Sequence, residues 1–405
     1  MLNYKVCDIL GTMRSKKKTK VFVGMSGGVD SSVAALLLKN QGYDVTGVYL
    51  KCYVQPDGSC MRDAMDAGEV ARQLGIPFEI WDFCKEYKER VIDYMVDGYA
   101  RGLTPNPDVE CNREIKFGLF LERALKLGAD YVSTGHYVKL ATSHSGLGSR
   151  VNSSRKELYP SGYTLVAAQD AQKDQSYFLW TLRQEQLAHA LFPIGDYLKS
   201  EVREIARKAG LKTAEKKDSQ GICFLGKVTL DEFLKEYLPE KKGEVLDTTG
   251  AKLGEHNGAH FYTIGQRHIG IKYHVSGIKK EGRHETKPVY VAAKDMETNT
   301  VTVAEEGDEN LARMEVELSG VNFVNPQHSD ILANVGMLEV MARVRYRQPL
   351  SEASIKYPSS TLASAGRQVS GIRLEFKKTQ RFVAEGQSAV FYTKKGEMIG
   401  GGVIA

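Results

Sequence analysis

Two thiols and one carboxylate stand in strings suited to nucleophilic chemistry. Cys111 lies near the end of Thr104-Pro105-Asn106-Pro107-Asp108-Val109-Glu110-Cys111-Asn112, and Cys223 lies inside Asp218-Ser219-Gln220-Gly221-Ile222-Cys223-Phe224-Leu225-Gly226. In the first string Pro105 and Pro107 fix φ, and each biases its predecessor toward extended backbone, so the loop is stiff. A helix is expected from about Arg113, which would put Cys111 just ahead of a positive helix end that favours thiolate. Asp108 lies three residues earlier, near enough to move a proton in the same site. Gly221 and Gly226 bracket the second thiol and allow its segment to move. Spacing alone does not bring the two sulfurs together, because a disulfide needs Cα atoms within roughly 4.4–6.8 Å. A cysteine taken singly is most often a small buried hydrophobe, and Cys7 and Cys84 are read that way. Cys52 and Cys60 flank Pro56-Asp57-Gly58, but no second pair or histidine cluster completes a zinc site.

An oxyanion site is written near the start of the chain. Lys20-Val21-Phe22-Val23-Gly24-Met25-Ser26-Gly27-Gly28-Val29-Asp30-Ser31-Ser32 reads as a strand, a glycine turn and a helix start. Gly27 and Gly28 let backbone approach a ligand closely, and Ser31 and Ser32 offer hydroxyls and amides at the positive end of the helix. The string lacks G-x-x-x-x-G-K-[ST], so no lysine of this loop reaches a β,γ-phosphate pair, which argues against a conventional P-loop kinase or ATPase.

The elements that must position these groups follow from pattern and composition. At roughly 150 residues per domain, 405 residues imply two or three domains. With 42% hydrophobic and 26% charged residues, the chain is neither collagen-like, disordered nor coiled coil. A net charge of +5 permits a nucleic-acid partner without demanding one. No apolar run approaches the roughly 18 residues of a membrane helix. The sparse cysteines, without any C-x-x-C, argue against a disulfide-stapled secreted protein, so the cytoplasm is expected.

From Thr19 to about Leu211, short apolar runs (Lys20–Met25, Asp44–Leu50, Phe78–Trp81, Tyr131–Thr134) alternate with helical stretches (Ser31–Asn40, Arg62–Leu74, Glu86–Tyr99, Ile115–Leu127). That alternation predicts an α/β domain, a doubly wound parallel sheet. Thr142–Gly162 reads as a surface loop or hairpin extension, followed by a helical pair, Gln175–Leu191 and Lys199–Lys208. A mixed stretch to about His284 suggests a small central domain. Beyond it Val289–Ala293, Thr300–Ala304, Met314–Leu318, Met337–Arg345, Ile372–Phe376 and Ser388–Tyr392 alternate apolar and polar residues, as in a small antiparallel β-barrel. The expected division is a basic tail at 1–18, a catalytic domain at 19–225, a central domain at 226–284 and the barrel at 285–405. Arg343, Arg345 and Arg347 should share one strand face, with Tyr346 on the other.

The string S-G-G-x-D-S-S after a strand resembles the PP-loop ATP pyrophosphatases. T-P-N-P-D-x-x-C-N-x-x-I-K-F (Thr104–Phe117) and D-S-x-G-I-C-F (Asp218–Phe224) resemble one branch of them, the tRNA-specific 2-thiouridylases. Thr134-Gly135-His136-Tyr137, Lys173-Asp174-Gln175-Ser176-Tyr177-Phe178-Leu179 and Tyr262-Thr263-Ile264-Gly265-Gln266-Arg267 extend the likeness, which runs from about Thr19 to the C-terminus.

The resemblance implies ATP-dependent conversion of the wobble uridine of tRNA (position 34) to 2-thiouridine. ATP would be cleaved to AMP and pyrophosphate, with Mg2+ near Asp30. By the same resemblance Gly24, Met25, Ser26, Gly27, Gly28, Val29, Asp30 and Ser31 hold ATP, and Leu50 and Gly135 line its adenosine side. Asn106, Pro107 and Asp108 would contact the target base, with Asp108 assisting proton transfer. Cys223 would carry a persulfide received from a cysteine desulfurase or a relay protein. Cys111 would complete the transfer, leaving a Cys111–Cys223 disulfide. His136, Lys173, Asp174 and Gln175, with Arg345, Tyr346 and Gln387 of the barrel, would touch tRNAs for lysine, glutamate and glutamine, and the protein would be a monomer.

Leu50 stands where the family usually has methionine, His268 replaces a usual lysine, and Thr142–Gly162 and His274–Lys287 are longer than expected. The competing readings are another adenylating PP-loop enzyme, whose chemistry needs no thiol pair, and a tRNA-binding sulfur carrier with an inactive ATP loop.

Overall fold

The computed structural model describes residues 18–55, 57–142, 162–218, 228–267, 287–357 and 371–405. Strands β1 (Lys20–Gly24), β2 (Asp44–Lys51), β3 (Phe78–Asp82) and β4 (Tyr131–Ser133) come first in the chain. They are followed by β5 (Val138–Thr142), β6 (Tyr163–Ala167) and β7 (Ala190–Leu191). A parallel sheet takes the order β3-β2-β1-β4-β7, while β5 and β6 pair as an antiparallel hairpin. Because side chains alternate along a strand, β1 feeds two cores. Val21 and Val23 pack with Val33, Ala34 and Leu38 of α1 (Val29–Asn40), Val70 and Ala71 of α2 (Ser59–Leu74), and Val202 and Ala206 of the helix Lys199–Lys208. Phe22, Val48, Trp81 and Val132 pack on the opposite face with Tyr87, Met95, Ile115 and Phe120. The sheet is therefore doubly wound, as the sequence predicts.

The central domain holds β8 (Gly243–Leu246), β9 (Lys252–His256), β10 (Val289–Asp295) and β11 (Thr300–Glu305), in the order β10-β11-β8-β9. Val289–Ala293 and Thr300–Ala304, expected in the C-terminal barrel, thus belong to this sheet. Val291, Val301 and Val303 share a core with Val245 and Ala259. A period of two reports a half-buried strand, not the sheet it joins.

The barrel itself closes as β12 (Ala312–Phe323), β15 (Ile372–Arg381), β14 (Ser351–Lys356), β13 (Met337–Arg343), β16 (Ser388–Tyr392) and β17 (Met398–Ile404). The sequence reading missed β17, whose glycines Gly400, Gly401 and Gly402 mask its pattern. The reason lies in packing: a Cβ on Gly401 would come within 2.6 Å of the Trp180 ring of the catalytic domain.

The expected helix Gln175–Leu191 is instead a 3-10 turn at Ser176–Leu179, a single helical turn at Gln184–Leu187 and strand β7. Ser176, Tyr177, Leu179, Trp180 and Leu182 are all buried, which no helix with one apolar face achieves. This segment runs between sheet and barrel, and Tyr177, Trp180, Val390, Tyr392 and Met398 join the core on the sheet face that carries Phe22 and Val132. The barrel is thereby fixed to the catalytic domain.

Strand β13 stops at Arg343, so the expected arginine alternation ends there, and Arg347 turns the chain at φ 64°. Thr142 and Gly162 flank residues 143–161, which lie outside the described residues, as do 1–17, His268, Cys223 and nearly all of His274–Lys287. Among the described residues no helix is long and apolar enough to cross a membrane.

Candidate active site

In an open parallel sheet the crevice forms where neighbouring strands lead off in opposite directions, at their carboxyl ends. Here that point lies between β1, whose sequence neighbour β2 is on one side, and β4 on the other. The loop after β1 is built for close approach. Met25 N–H donates to Val48 O at 2.8 Å, and Ser26 N–H donates to Ser31 Oγ at 3.1 Å. Gly27 has φ 74°, and an added Cβ would lie 2.3 Å from the carbonyl oxygen of Asp63. Gly28 caps α1, where Ser32 Oγ donates back to Gly28 O at 2.8 Å. After β4 comes Gly135, whose Cβ would stand 2.6 Å from Ser31 N. Two loops thus meet glycine to helix start. Gly24 is looser, with nothing nearer than 3.7 Å to an added Cβ. Leu50 sits half-buried near the carboxyl end of β2.

A charged network lies beside this loop. Tyr137 Oη donates to Asp30 Oδ1 at 2.7 Å, and Lys199 Nζ reaches Asp30 Oδ1 and Oδ2 at 2.8 Å each. The same Nζ pairs with Asp218 Oδ1 at 2.8 Å, and Asp218 also meets Lys173 at 2.8 Å and Arg203 at 2.7 Å. Burial raises the Asp218 carboxyl, but hydrogen bonds from Lys173 and Lys199 outweigh it and hold the group at about 2. Burial, reinforced by the Asp30 carboxylate, pushes the Tyr137 phenol far up, so it remains a donor. Among the described residues no group of three or more His, Cys, Asp or Glu is arranged to hold a metal. One carboxylate, Asp30, at a phosphate loop fits a magnesium ion that arrives on a nucleotide and keeps phosphate and water ligands.

The stiff loop starts a helix earlier than expected. Asn106 Oδ1 accepts from Val109 N–H at 3.2 Å, Pro107 takes the first helical position, and Pro107–Glu110, Cys111–Leu119 and Phe120–Lys126 follow without a break. Cys111 therefore lies past the first turn, 3% exposed, rather than ahead of the helix. The dipole effect expected there acts within the first turn, where half-buried Asp108 stands. Thr104 N–H donates to Glu385 O at 2.7 Å, and Gln387 Nε2 donates to Thr104 O at 2.8 Å, so the barrel braces this loop. Asn112 Nδ2 ties the helix to Phe178 O at 3.1 Å.

The tripeptide Lys173-Asp174-Gln175 points three ways. Lys173 faces Asp218, while Gln175 exchanges hydrogen bonds with the Tyr137 backbone. Asp174, expected to touch tRNA, is instead buried. It accepts from Ala168 N–H, Ser176 N–H, Ser176 Oγ and, at 2.8 Å, Arg343 of the barrel. With four donors its carboxylate is occupied inside the domain junction. His136 is also buried, bonded through Nδ1 to Thr134 Oγ1 at 2.7 Å and flanked by Phe117 and Phe192. Burial, with Lys116 nearby, pushes it well below its usual value and keeps it neutral. Arg345 and Tyr346 lie beyond the end of β13, and Tyr346 packs on Phe178 with ring centroids 4.4 Å apart.

Sequence reasoning passed over Lys199 and Arg203, and read Arg343 only as one of three arginines on a strand face. One signal was present: Lys199 opens a helix, the end where a cation is disfavoured, so it needs nearby carboxylates.

Comparison with known proteins covers nearly all of the chain from residue 19 onward. Residues 19–227 match the family described as tRNA methyl transferase HUP domain, 231–305 a PRC-barrel domain of the same family, and 313–404 an aminomethyltransferase beta-barrel domain. The second match ends with β11, in keeping with the strand pairing. The tRNA-specific 2-thiouridylase MnmA of Streptococcus thermophilus is 43% identical over 400 residues, covering 97% of this chain and 96% of that one. Its namesake in Flavobacterium johnsoniae is 40% identical, covering 95% and 100%. A solved 4-thiouridine synthetase–RNA complex with bound ATP is 20% identical with a TM-score of 0.30, over 49% of this chain and 43% of that one.

Proposed function

The chain belongs to the tRNA-specific 2-thiouridylases, and on that premise we propose how its residues convert the wobble uridine of tRNA to 2-thiouridine. The reading is carried by one observation: a phosphate loop locked by Gly27 and Gly135 occurs in a chain matched over 97% of its length by a 2-thiouridylase. Matches over that length leave the rival adenylating enzymes and an inactive carrier without support.

The chemistry suits the residue types. The C2 oxygen of uracil is a poor leaving group, so it must first be activated. It attacks the α-phosphorus of ATP held by Gly24–Ser31, the bond to the bridging oxygen breaks, and pyrophosphate departs. The N3 proton passes to the Asp108 carboxylate. The terminal sulfur of a Cys223 persulfide then attacks C2, and AMP leaves with the former carbonyl oxygen. The Cys111 thiolate attacks Sγ of Cys223 and breaks the S–S bond. The uracil keeps the sulfur as C2=S, its N3 proton returns, and a Cys111–Cys223 disulfide remains for two electrons from a thiol reductant. Mg2+ bound through Asp30 and the phosphates would offset charge on the departing pyrophosphate.

The base must leave the anticodon stack to meet these groups, with Asn106 and Pro107 at its entry. Lys173, Gln175, Arg345, Tyr346 and Gln387 are the proposed tRNA contacts. Asp174 and His136 support them from inside the fold. A cysteine desulfurase or relay protein would recharge Cys223, and the protein would act as a cytoplasmic monomer.

The test follows phosphorus. Incubation with Mg-ATP, a sulfur source and a tRNA carrying uridine at position 34 should release AMP and pyrophosphate in step with thiolated nucleoside. Release of ADP and phosphate, or equal AMP release with cytidine at that position, would overturn the reading.

A further inference from the structure

We infer that Lys199 is the cation that binds the terminal phosphates of the nucleotide, supplied from a distant helix to a loop that has no lysine of its own. The proposal deepens the ATP-site reading above and rests on it.

The geometry is specific. Asp30 is the second residue of α1, the helix end that offers free N–H groups to an oxyanion. Lys199 Nζ lies 2.8 Å from both Asp30 oxygens although the two residues are 169 positions apart. The lysine side chain is only 12% exposed and lies over the Tyr137 ring at 5.7 Å. A buried ammonium at the first residue of a helix is held against both desolvation and dipole, and it persists here because two carboxylates meet it. Asp218 is in turn occupied by Lys173 and Arg203. Asp170 accepts from the backbone N–H of Lys199 at 3.0 Å, so three carboxylates balance the three cations Lys173, Lys199 and Arg203 until an anion engages the cluster.

The arrangement also explains why two carboxylates share one lysine. Asp218 holds the amine in place, so the Nζ protons now facing Asp30 can turn to phosphate oxygens when a magnesium–nucleotide complex engages the Asp30 carboxylate. An adenosine monophosphate, which ends at the α-phosphate, would not reach this amine.

Equilibrium binding of ATP, inorganic pyrophosphate and AMP, each with Mg2+, tests the assignment on the full chain without requiring thiolation. Lys199→Gln should weaken ATP and pyrophosphate by about tenfold or more, the loss of a charge-assisted hydrogen bond, and leave AMP unchanged. Lys199→Arg should recover most of the difference. A merely structural lysine would weaken all three ligands together, and that result, or unchanged ATP affinity, overturns the proposal. If Lys199→Gln does not fold, Lys199→Met keeps an unbranched side chain over the Tyr137 ring without the charge and carries the same comparison. Wild type binding none of the three would overturn the ATP-site reading and this proposal with it. ATP binding unaffected by Lys199→Gln would overturn this proposal alone.

Discussion

Arg343 of the barrel reaches Asp174 of the catalytic domain at 2.8 Å, with the two side chains 9% and 4% exposed. Arg343 also lies over the Tyr392 ring at 5.0 Å, and Tyr392 Oη meets Ser176 Oγ at 3.0 Å. The junction between the domains is therefore a dry polar cluster inside an apolar core, and it fixes the barrel relative to Lys173 and Gln175 on the same tripeptide.

Breaking one half of that pair strands a buried charge. Arg343→Met should cost about 3–5 kcal/mol in urea unfolding. Asp174→Leu combined with Arg343→Met should recover much of the loss, since an apolar pair leaves no charge unpaired. A single variant as stable as wild type would show that the junction is wet.

The two loops at the crevice predict a contrast between glycines. Gly135→Ala places a methyl 2.6 Å from Ser31 N and must shift the start of α1, so ATP affinity should fall by at least about tenfold, which is about 1.4 kcal/mol. Gly24→Ala meets only ordinary protein contacts at 3.7 Å and should lose less ATP affinity than Gly135→Ala does. Titration with a fluorescent ATP analogue distinguishes them, and equal effects of both changes would contradict the geometry.

Burial gives the fold a pH dependence. His136 is held neutral in the folded protein, well below its ordinary 6.5, whereas in the unfolded chain it titrates near that value. As pH falls below about 6.5 the unfolded state takes up a proton that the folded state does not, so stability falls. Melting temperatures from pH 7 to 5 should drop more steeply for wild type than for His136→Gln. Parallel curves would remove His136 as the cause.

Much of this was written in the sequence, and the failures have physical causes. The parallel sheet was legible because apolar runs such as Lys20–Met25 alternate with amphipathic helices, and the loop glycines because few other residues tolerate such approach. Gln175–Leu191 was misread because its apolar residues are buried on all sides at a domain junction. Cys111 was misplaced because the helix begins at Pro107, capped by Asn106, six residues sooner than the Arg113 pattern suggested. The pairings of Lys199 and Arg343 were missed because their partners, Asp30 and Asp174, are 169 residues distant in both cases. Ion pairs of that separation leave no local pattern.

The central claim is that sulfur reaches the wobble uridine through two thiols. The most direct test is nucleoside mass spectrometry on a position-34 uridine tRNA treated with Mg-ATP and a cysteine desulfurase as persulfide source, comparing wild type, Cys111→Ser and Cys223→Ser. The account predicts replacement of one oxygen by sulfur with wild type and no free 2-thiouridine with either variant. Thiolation at the wild-type rate by either serine variant would contradict it.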